Sequence, residues 1–360
     1  MMEDIRLMKG NEVLAVAAIR CGCDGYFGYP ITPQSEVLET LAQERPWETT
    51  GMVVLQAESE VSSINMVYGG ASTGKRVMTS TSSPGLSLMC EGISYLAGAE
   101  LPCLLVDVAR GGPGLGSIQA SQADYNMVVK GGGHGDYRLL VLAPNSVQEM
   151  NDFVELGFDL AFKYRIPVMI LTDGVIGQMM ERVSLSPIKP RWTKEDIQKN
   201  APWASCGKTG GRERHIANSL RLASADLEVH NHHLQAKYRL IEQNEVRYEE
   251  MLTEDAEYLI VAYGTSSRIS AKTVELAREQ GIKVGLVRPI TLFPFPEKVL
   301  FDLADHIKGI LCVEMSAGQM IDDVRLAVNG KTRVSHFGRY GGIIHTPNEV
   351  LEALTKIMED

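Results

Sequence analysis

Three short segments of this 360-residue chain join a reactive side chain to a stiffened or opened backbone. In YPITPQSE, Tyr29 to Glu36, two prolines bracket Ile31 and Thr32 and restrict the direction of the threonine hydroxyl. In QAESE, two carboxylates suited to general acid or base work, Glu58 and Glu60, stand where a run of small residues begins. In VDVARGGPGLG, the cation of Arg110 is followed by glycines that let a substrate approach the backbone. Each residue also has a structural explanation taken singly. Glu58 suits the start of a helix, where an acid contributes roughly 0.3 to 1 kcal/mol, Arg110 suits a surface ion pair, and Thr32 suits a turn. Their joint placement after apolar β runs favours function, because ligands of a parallel sheet gather outside the carboxyl ends of its strands.

The elements that would position them alternate regularly. Gly10-Asn11-Glu12 followed by VLAVAAIRCGC reads as a first helix capped by Asn11. The strands GYFGYP, GMVVLQ, RVMTSTS, PCLLVDVA, RLLVLAP and PVMILTD are separated by helical segments, among them ESEVSSINMVYGGA, whose small residues predict close packing against a neighbour. From Ser184 to about Glu254 the pattern is broken by Pro187, Pro190 and Pro202, and the charged stretch Ile216 to Tyr248 predicts one long amphipathic helix. EYLIVAYG, KVGLVRP and GILCVEMS then restore βαβ alternation. The fold expected is α/β: two parallel-sheet domains, 1–185 and 255–360, joined by a helical linker, 186–254.

Composition and motifs exclude several functions. Hydrophobic residues at 44% and charged residues at 22% belong to an ordinary globular protein, and 35 basic against 45 acidic residues give a net charge of −10. Without a basic tract, no nucleic acid is expected as a partner. No apolar run reaches the roughly 18 residues of a membrane helix, and the amino end lacks a leader pattern, so no membrane association and a cytoplasmic location are expected. GGASTGKR, Gly69 to Arg76, imitates a phosphate loop, but Arg76 replaces its terminal hydroxyl residue and the order is helix to strand. CGKTGG, Cys206 to Gly211, lacks the earlier glycine. The six cysteines contain no C-x-x-C and read as buried thiols; His230, His232 and His233 read as a solvated helix face. No metal site is expected.

YPITP, ESEVSSINMVYGGA, TSTSSPG and DVARGGPG together resemble the pyrimidine-binding domain of thiamine-diphosphate enzymes, specifically the alpha-type subunit of 2-oxoacid:ferredoxin oxidoreductases. KGGGHGDYRLLVLAP, AKYRLIEQNEVRYEE and VGLVRPITLFPFP extend the resemblance over nearly the whole chain, and the glycine-histidine loop is most similar to the 2-oxoisovalerate branch. The last region resembles the carboxy-terminal domain of transketolase-like enzymes. The resemblance implies oxidative decarboxylation of a branched-chain 2-oxo acid to an acyl-coenzyme A, carbon dioxide and reduced ferredoxin. A 2-oxoglutarate- or pyruvate-specific relative, or a scaffold subunit without chemistry, are the alternatives.

The same resemblance assigns Glu60, with Glu58 as second candidate, to the aminopyrimidine ring of thiamine diphosphate, Ile31 to the cofactor, and Arg110 and Thr32 to the substrate. The G-D-G signature with a downstream Asn is absent, Thr172-Asp173-Gly174 being its nearest imitation. Diphosphate and Mg2+ are therefore expected on a beta-type partner subunit. The cysteine spacing cannot hold clusters, so iron-sulfur clusters are expected in a ferredoxin-like partner. Ferredoxin, coenzyme A and the 2-oxo acid are the further partners expected, with a self-dimer possible.

Overall fold

The computed structural model describes residues 4–208 and 211–359. Residues 1–3, read above for a leader, and 209–210 within the CGKTGG tract lie outside the described residues.

An antiparallel ribbon of β1 (Ile5–Lys9) and β8 (Met180–Ser184) flanks the molecule. The first sheet draws on β2 (Gly25–Gly28), β3 (Val53–Gln56), β4 (Val77–Thr81), β5 (Cys103–Ala109), β6 (Leu140–Leu142) and β7 (Pro167–Asp173). The second is built from β9 (Tyr248–Met251), β10 (Tyr258–Val261), β11 (Val284–Pro289), β13 (Gly309–Glu314) and β14 (Arg333–Gly338), while β12 (Thr291–Phe293) crosses back to the first. The strand orders are β12-β6-β7-β5-β4-β2-β3 and β14-β13-β10-β11-β9. Every pairing within them is parallel except those of β12 with β6 and β9 with β11, so each sheet carries one antiparallel edge. All residues of β5 and β7 are buried, as expected of central strands covered on both faces.

The helices around the first sheet are α1 (Gly10–Arg20), α2 (Ser35–Glu44), α3 (Pro46–Thr49), α4 (Glu60–Ser72), α5 (Ser83–Gly98), α6 (Tyr125–Val129), α7 (Val147–Tyr164) and α8 (Gly174–Gln178). The connecting region holds α9 (Lys194–Asn200) and α10 (Ser224–Asn244); the second sheet is covered by α11 (Gly264–Glu279), α13 (Met320–Val328) and α14 (Pro347–Glu359), and α12 (Glu297–Leu303) packs against α13. The small residues of α4 do allow close packing: a Cβ added at Gly92 of α5 would stand 2.5 Å from Ile64 Cγ2.

Four local expectations are corrected. Asn11 does not cap α1; it is buried, and its amide donates to the Pro33 carbonyl at 2.6 Å and to Glu36 Oε2 at 3.0 Å, while Glu12 reaches back to the Lys9 amide. The connecting helix starts at Ser224, so 216–223 is not helical, and its buried stripe is Leu234, Tyr238 and Ile241. The histidines are not a plain solvated face: His230 bonds the Gly98 carbonyl and Arg221, and His233 bonds Glu100. Of the cysteines, Cys206 is exposed and Cys90 half-buried rather than buried.

The two sheets meet at their strand ends. Gln122, on the loop after β5, accepts at Oε1 from the Met315 amide at 2.8 Å and the Ser266 hydroxyl at 2.6 Å, and donates to the Tyr263 carbonyl at 2.9 Å. Tyr263 follows β10 and Met315 follows β13, so the loop leaving Arg110 is pinned by the carboxyl ends of the second sheet. Among the described residues, no helix is long and apolar enough to cross a membrane.

Candidate active site

The YPITP loop follows β2, the two glutamates follow β3, the Ser82-Ser83-Pro84-Gly85 turn follows β4, and Arg110 follows β5. β3 and β5 stand three positions apart in the sheet, about 14 Å at the usual strand spacing. The carboxylate and the guanidinium therefore rise on opposite sides of the β4 turn.

Glu60 opens α4 behind Ser59, whose hydroxyl accepts from the Ser62 amide. Its side chain is only 6% exposed, and among the described residues no hydrogen bond or ion pair reaches its carboxylate. It lies against Gly85, where an added Cβ would stand 2.6 Å from Glu60 Oε1 and 2.2 Å from Thr81 Oγ1. Glycine at that position lets the carboxylate pass across the start of α5. A buried carboxylate without a partner is costly, and it fits a ligand that supplies a ring nitrogen as partner. Glu58, by contrast, is exposed and accepts from the Ser62 hydroxyl at 3.1 Å.

Arg110 is 9% exposed and, among the described residues, pairs with no acid. Nη1 donates to the Thr32 carbonyl at 2.9 Å and Nη2 to the Leu115 carbonyl at 3.2 Å, while Nε is buried without a partner among the described residues. The fork is held by two neutral carbonyls, which leave its charge uncompensated among the described residues. Thr32 is exposed, and the half-buried Ile31 precedes it. Their loop is anchored by a buried chain in which Tyr26 donates to Ser80 at 2.8 Å and Ser80 to Gln34 Oε1 at 2.6 Å, with Gln34 donating onward to the Tyr29 carbonyl. Burial pushes the Tyr26 phenol up to about 12, so it stays a donor at neutral pH.

Sequence reasoning missed the layer beneath. Asp107, in the middle of β5, is fully buried and faces Asp124, and burial followed by the neighbouring carboxyl holds its acid form well above the usual range. Burial also raises Asp124. Asp124 accepts from the Ser83 hydroxyl, and Ser83 Oγ accepts from the Arg110 amide at 2.9 Å. The signal available was an acid inside the apolar strand CLLVDVA. Asp173 of the G-D-G imitation is engaged otherwise: it caps α8 by accepting from the Val175 and Ile176 amides and takes the Thr265 hydroxyl at 2.9 Å.

A family model described as pyruvate flavodoxin/ferredoxin oxidoreductase, thiamine-diphosphate-binding, matches residues 16–253, and one described as pyruvate:ferredoxin oxidoreductase core domain II matches residues 256–350. The chain is 50% identical over 359 residues to the ketoisovalerate oxidoreductase subunit VorB of Methanothermobacter thermautotrophicus, covering 99% of this chain and 98% of that one. It is 35% identical over 367 residues to the 2-oxoglutarate synthase subunit KorA of Methanocaldococcus jannaschii, covering 97% and 99%. The solved 2-oxoglutarate:ferredoxin oxidoreductase from Magnetococcus marinus, with 2-oxoglutarate, coenzyme A and succinyl-CoA bound, superposes with a TM-score of 0.86 at 27% identity, over 99% of this chain and 66% of that one. A split-gene transketolase shares the fold alone, with a TM-score of 0.60 at 13% identity over 98% of each chain.

Proposed function

This chain belongs to the thiamine-diphosphate-binding pyruvate flavodoxin/ferredoxin oxidoreductase family and is a 2-oxoacid:ferredoxin oxidoreductase subunit, and on that premise we propose that it serves oxidative decarboxylation of 2-oxoisovalerate. The substrate choice is supported by 50% identity to a ketoisovalerate oxidoreductase subunit against 35% to a 2-oxoglutarate synthase subunit. The observation that carries the reading is that Glu60 and Arg110, buried on either side of the β4 turn, each lack a counter-charge among the described residues. One awaits a ring nitrogen and the other an anion.

Thiamine diphosphate, when bound, supplies the carbon that adds to the ketone and takes the electrons left by carbon dioxide. In this reading Glu60 holds the proton that favours the imino form of the aminopyrimidine, and Ile31 lines the ring. Arg110 grips the substrate carboxylate through its free N–H groups, and the Thr32 hydroxyl contacts the substrate near the reacting carbon. Residues 1–185 would form the pyrimidine-binding unit, 186–254 the linker, and 255–360 the transketolase-like unit that braces the Arg110 loop.

The diphosphate and Mg2+ are assigned to a beta-type partner, a division supported by the engagement of Asp173 in capping and in the Thr265 bond. Iron-sulfur clusters are assigned to a ferredoxin-like partner, with coenzyme A as acyl acceptor and ferredoxin as electron acceptor. The test is viologen reduction by the complex assembled with its partners, comparing initial rates on 2-oxoisovalerate, pyruvate and 2-oxoglutarate. A kcat/KM highest on 2-oxoisovalerate is expected; higher values on either other acid overturn the substrate assignment.

A further inference from the structure

Asp124 occupies the residue before α6, a position where an aspartate ordinarily accepts from the helix's first amides, yet it makes no such bond. Its carboxyl turns the other way, toward the fully buried Asp107 and the Ser83 hydroxyl. Two facing carboxyls cannot both stay ionised in such a place, since neither has a cation beside it among the described residues. Burial, and for Asp107 the facing carboxyl after it, raises both acids, Asp107 the further, and an Asp124 oxygen accepts from Ser83. Because Ser83 donates to Asp124, its lone pair faces the Arg110 amide, 2.9 Å away. The hydrogen bonds run from the start of α6 through the start of α5 back to the residue that follows β5.

The far side of the same loop is fixed as well. Gln122 bonds across to Met315 and Tyr263 two residues before Asp124, and a Cβ added at Gly111 would stand 2.9 Å from the Gly341 carbonyl carbon. Arg110 thus springs from a backbone held on both sides, and the Asp124 link is the one tied to its own amide.

We propose that Asp124 is a positioning residue for substrate binding: it fixes the Ser83 hydroxyl, which sets the backbone of Arg110 and so the aim of its guanidinium. This rests on the reading of Arg110 as the substrate clamp. Without Asp124 the Ser83 hydroxyl has only the Arg110 carbonyl, at 3.2 Å, to donate to, and its bond across to the start of α6 is gone. Asparagine at 124 should restore it, because its carbonyl accepts from Ser83 as the Asp124 oxygen does.

The test is steady-state viologen reduction by the assembled complex with the 2-oxo acid varied. Asp124→Ala and Ser83→Ala should each raise KM about tenfold while kcat falls less than about threefold, the loss of one net hydrogen bond expressed in binding. Asp124→Asn and Ser83→Thr should bring KM back to within about threefold of the native complex. A native KM in Ser83→Ala, or a KM in Asp124→Asn as high as in an assembled Asp124→Ala, overturns the positioning role. Should Asp124→Ala fail to assemble, the Ser83→Ala and Ser83→Thr pair decides alone. A native complex with no 2-oxoacid-dependent reduction at all instead overturns the functional reading, and this inference falls with it.

Discussion

Arg110 Nη1 donates to the carbonyl oxygen of Thr32 at 2.9 Å, which makes one unit of the two loops expected to meet the substrate. The guanidinium is shaped by that bond and the one to Leu115, so its charge is right for a carboxylate and its direction is already set. Lysine keeps the charge and loses the fork. Arg110→Lys should raise KM for the 2-oxo acid roughly thirtyfold, the equivalent of about 2 kcal/mol in charge-assisted hydrogen bonding. A KM within a factor of about two of the native complex would remove Arg110 from the substrate.

Glu60 tests the other half of the cleft. Glu60→Gln keeps the size of the side chain and removes the exchangeable acid, so the rate should fall by roughly 10² to 10⁴ while the subunits still assemble. Native turnover in an assembled Glu60→Gln complex contradicts its role.

Gly85 reports on the same carboxylate without altering it. Gly85→Ala places a methyl group where Glu60 Oε1 and Thr81 Oγ1 now lie. Displacing Glu60 should lower kcat at least about tenfold, with thermal stability reduced by only about 1 to 3 kcal/mol as for ordinary overpacking. An unchanged kcat in a folded Gly85→Ala complex would show that Glu60 tolerates displacement.

Much of the site was legible because its signals are local. Prolines around Ile31 and Thr32, acids at a helix start and an arginine before glycines each declare themselves within a few residues, and strict alternation of apolar runs with helical stretches predicted the sheets. Gln122 and Asp124 declare nothing of the kind. Gln122 matters because of Met315, 193 residues later, and Asp124 because of Ser83, 41 residues earlier. Asn11 misled for the converse reason: its sequence position is that of a cap, but the prolyl loop arriving at Pro33 offers it a buried acceptor. β12 joined the first sheet on similar grounds, its pairing with β6 being a tertiary event.

Gln122 should hold the two sheets in register. Gln122→Leu keeps the bulk and leaves the Met315 amide and the Ser266 hydroxyl buried without an acceptor. About 1 to 3 kcal/mol is expected for each stranded donor, so calorimetry should find the melting transition lowered and broadened toward two steps. A sharp transition at the native temperature would place the coupling of the sheets elsewhere.

Acid should loosen the molecule beside the same loop. His345, buried against Phe337 in the segment that also carries Gly341 and Gly342, has neither ring nitrogen partnered among the described residues, and burial holds its pKa down to about 4. Its folded value lies below the ordinary 6.5, so the unfolded chain binds the proton first and stability falls as pH drops from about 6.5 toward 4. Glu100 adds a second step lower down. Burial alone would raise it, but hydrogen bonds from Lys237 at 2.7 Å and His233 at 2.9 Å hold it at about 2, so its contribution is present above about 4.5 and lost below. One titrating group limits the slope to about 1.4 kcal/mol per pH unit. Melting temperature followed from pH 7.5 to 4.5 should therefore decline, and His345→Leu, which cannot take up the proton, should flatten the decline between about pH 6.5 and 5. An identical slope in the native chain and in His345→Leu would assign the acid sensitivity to another group.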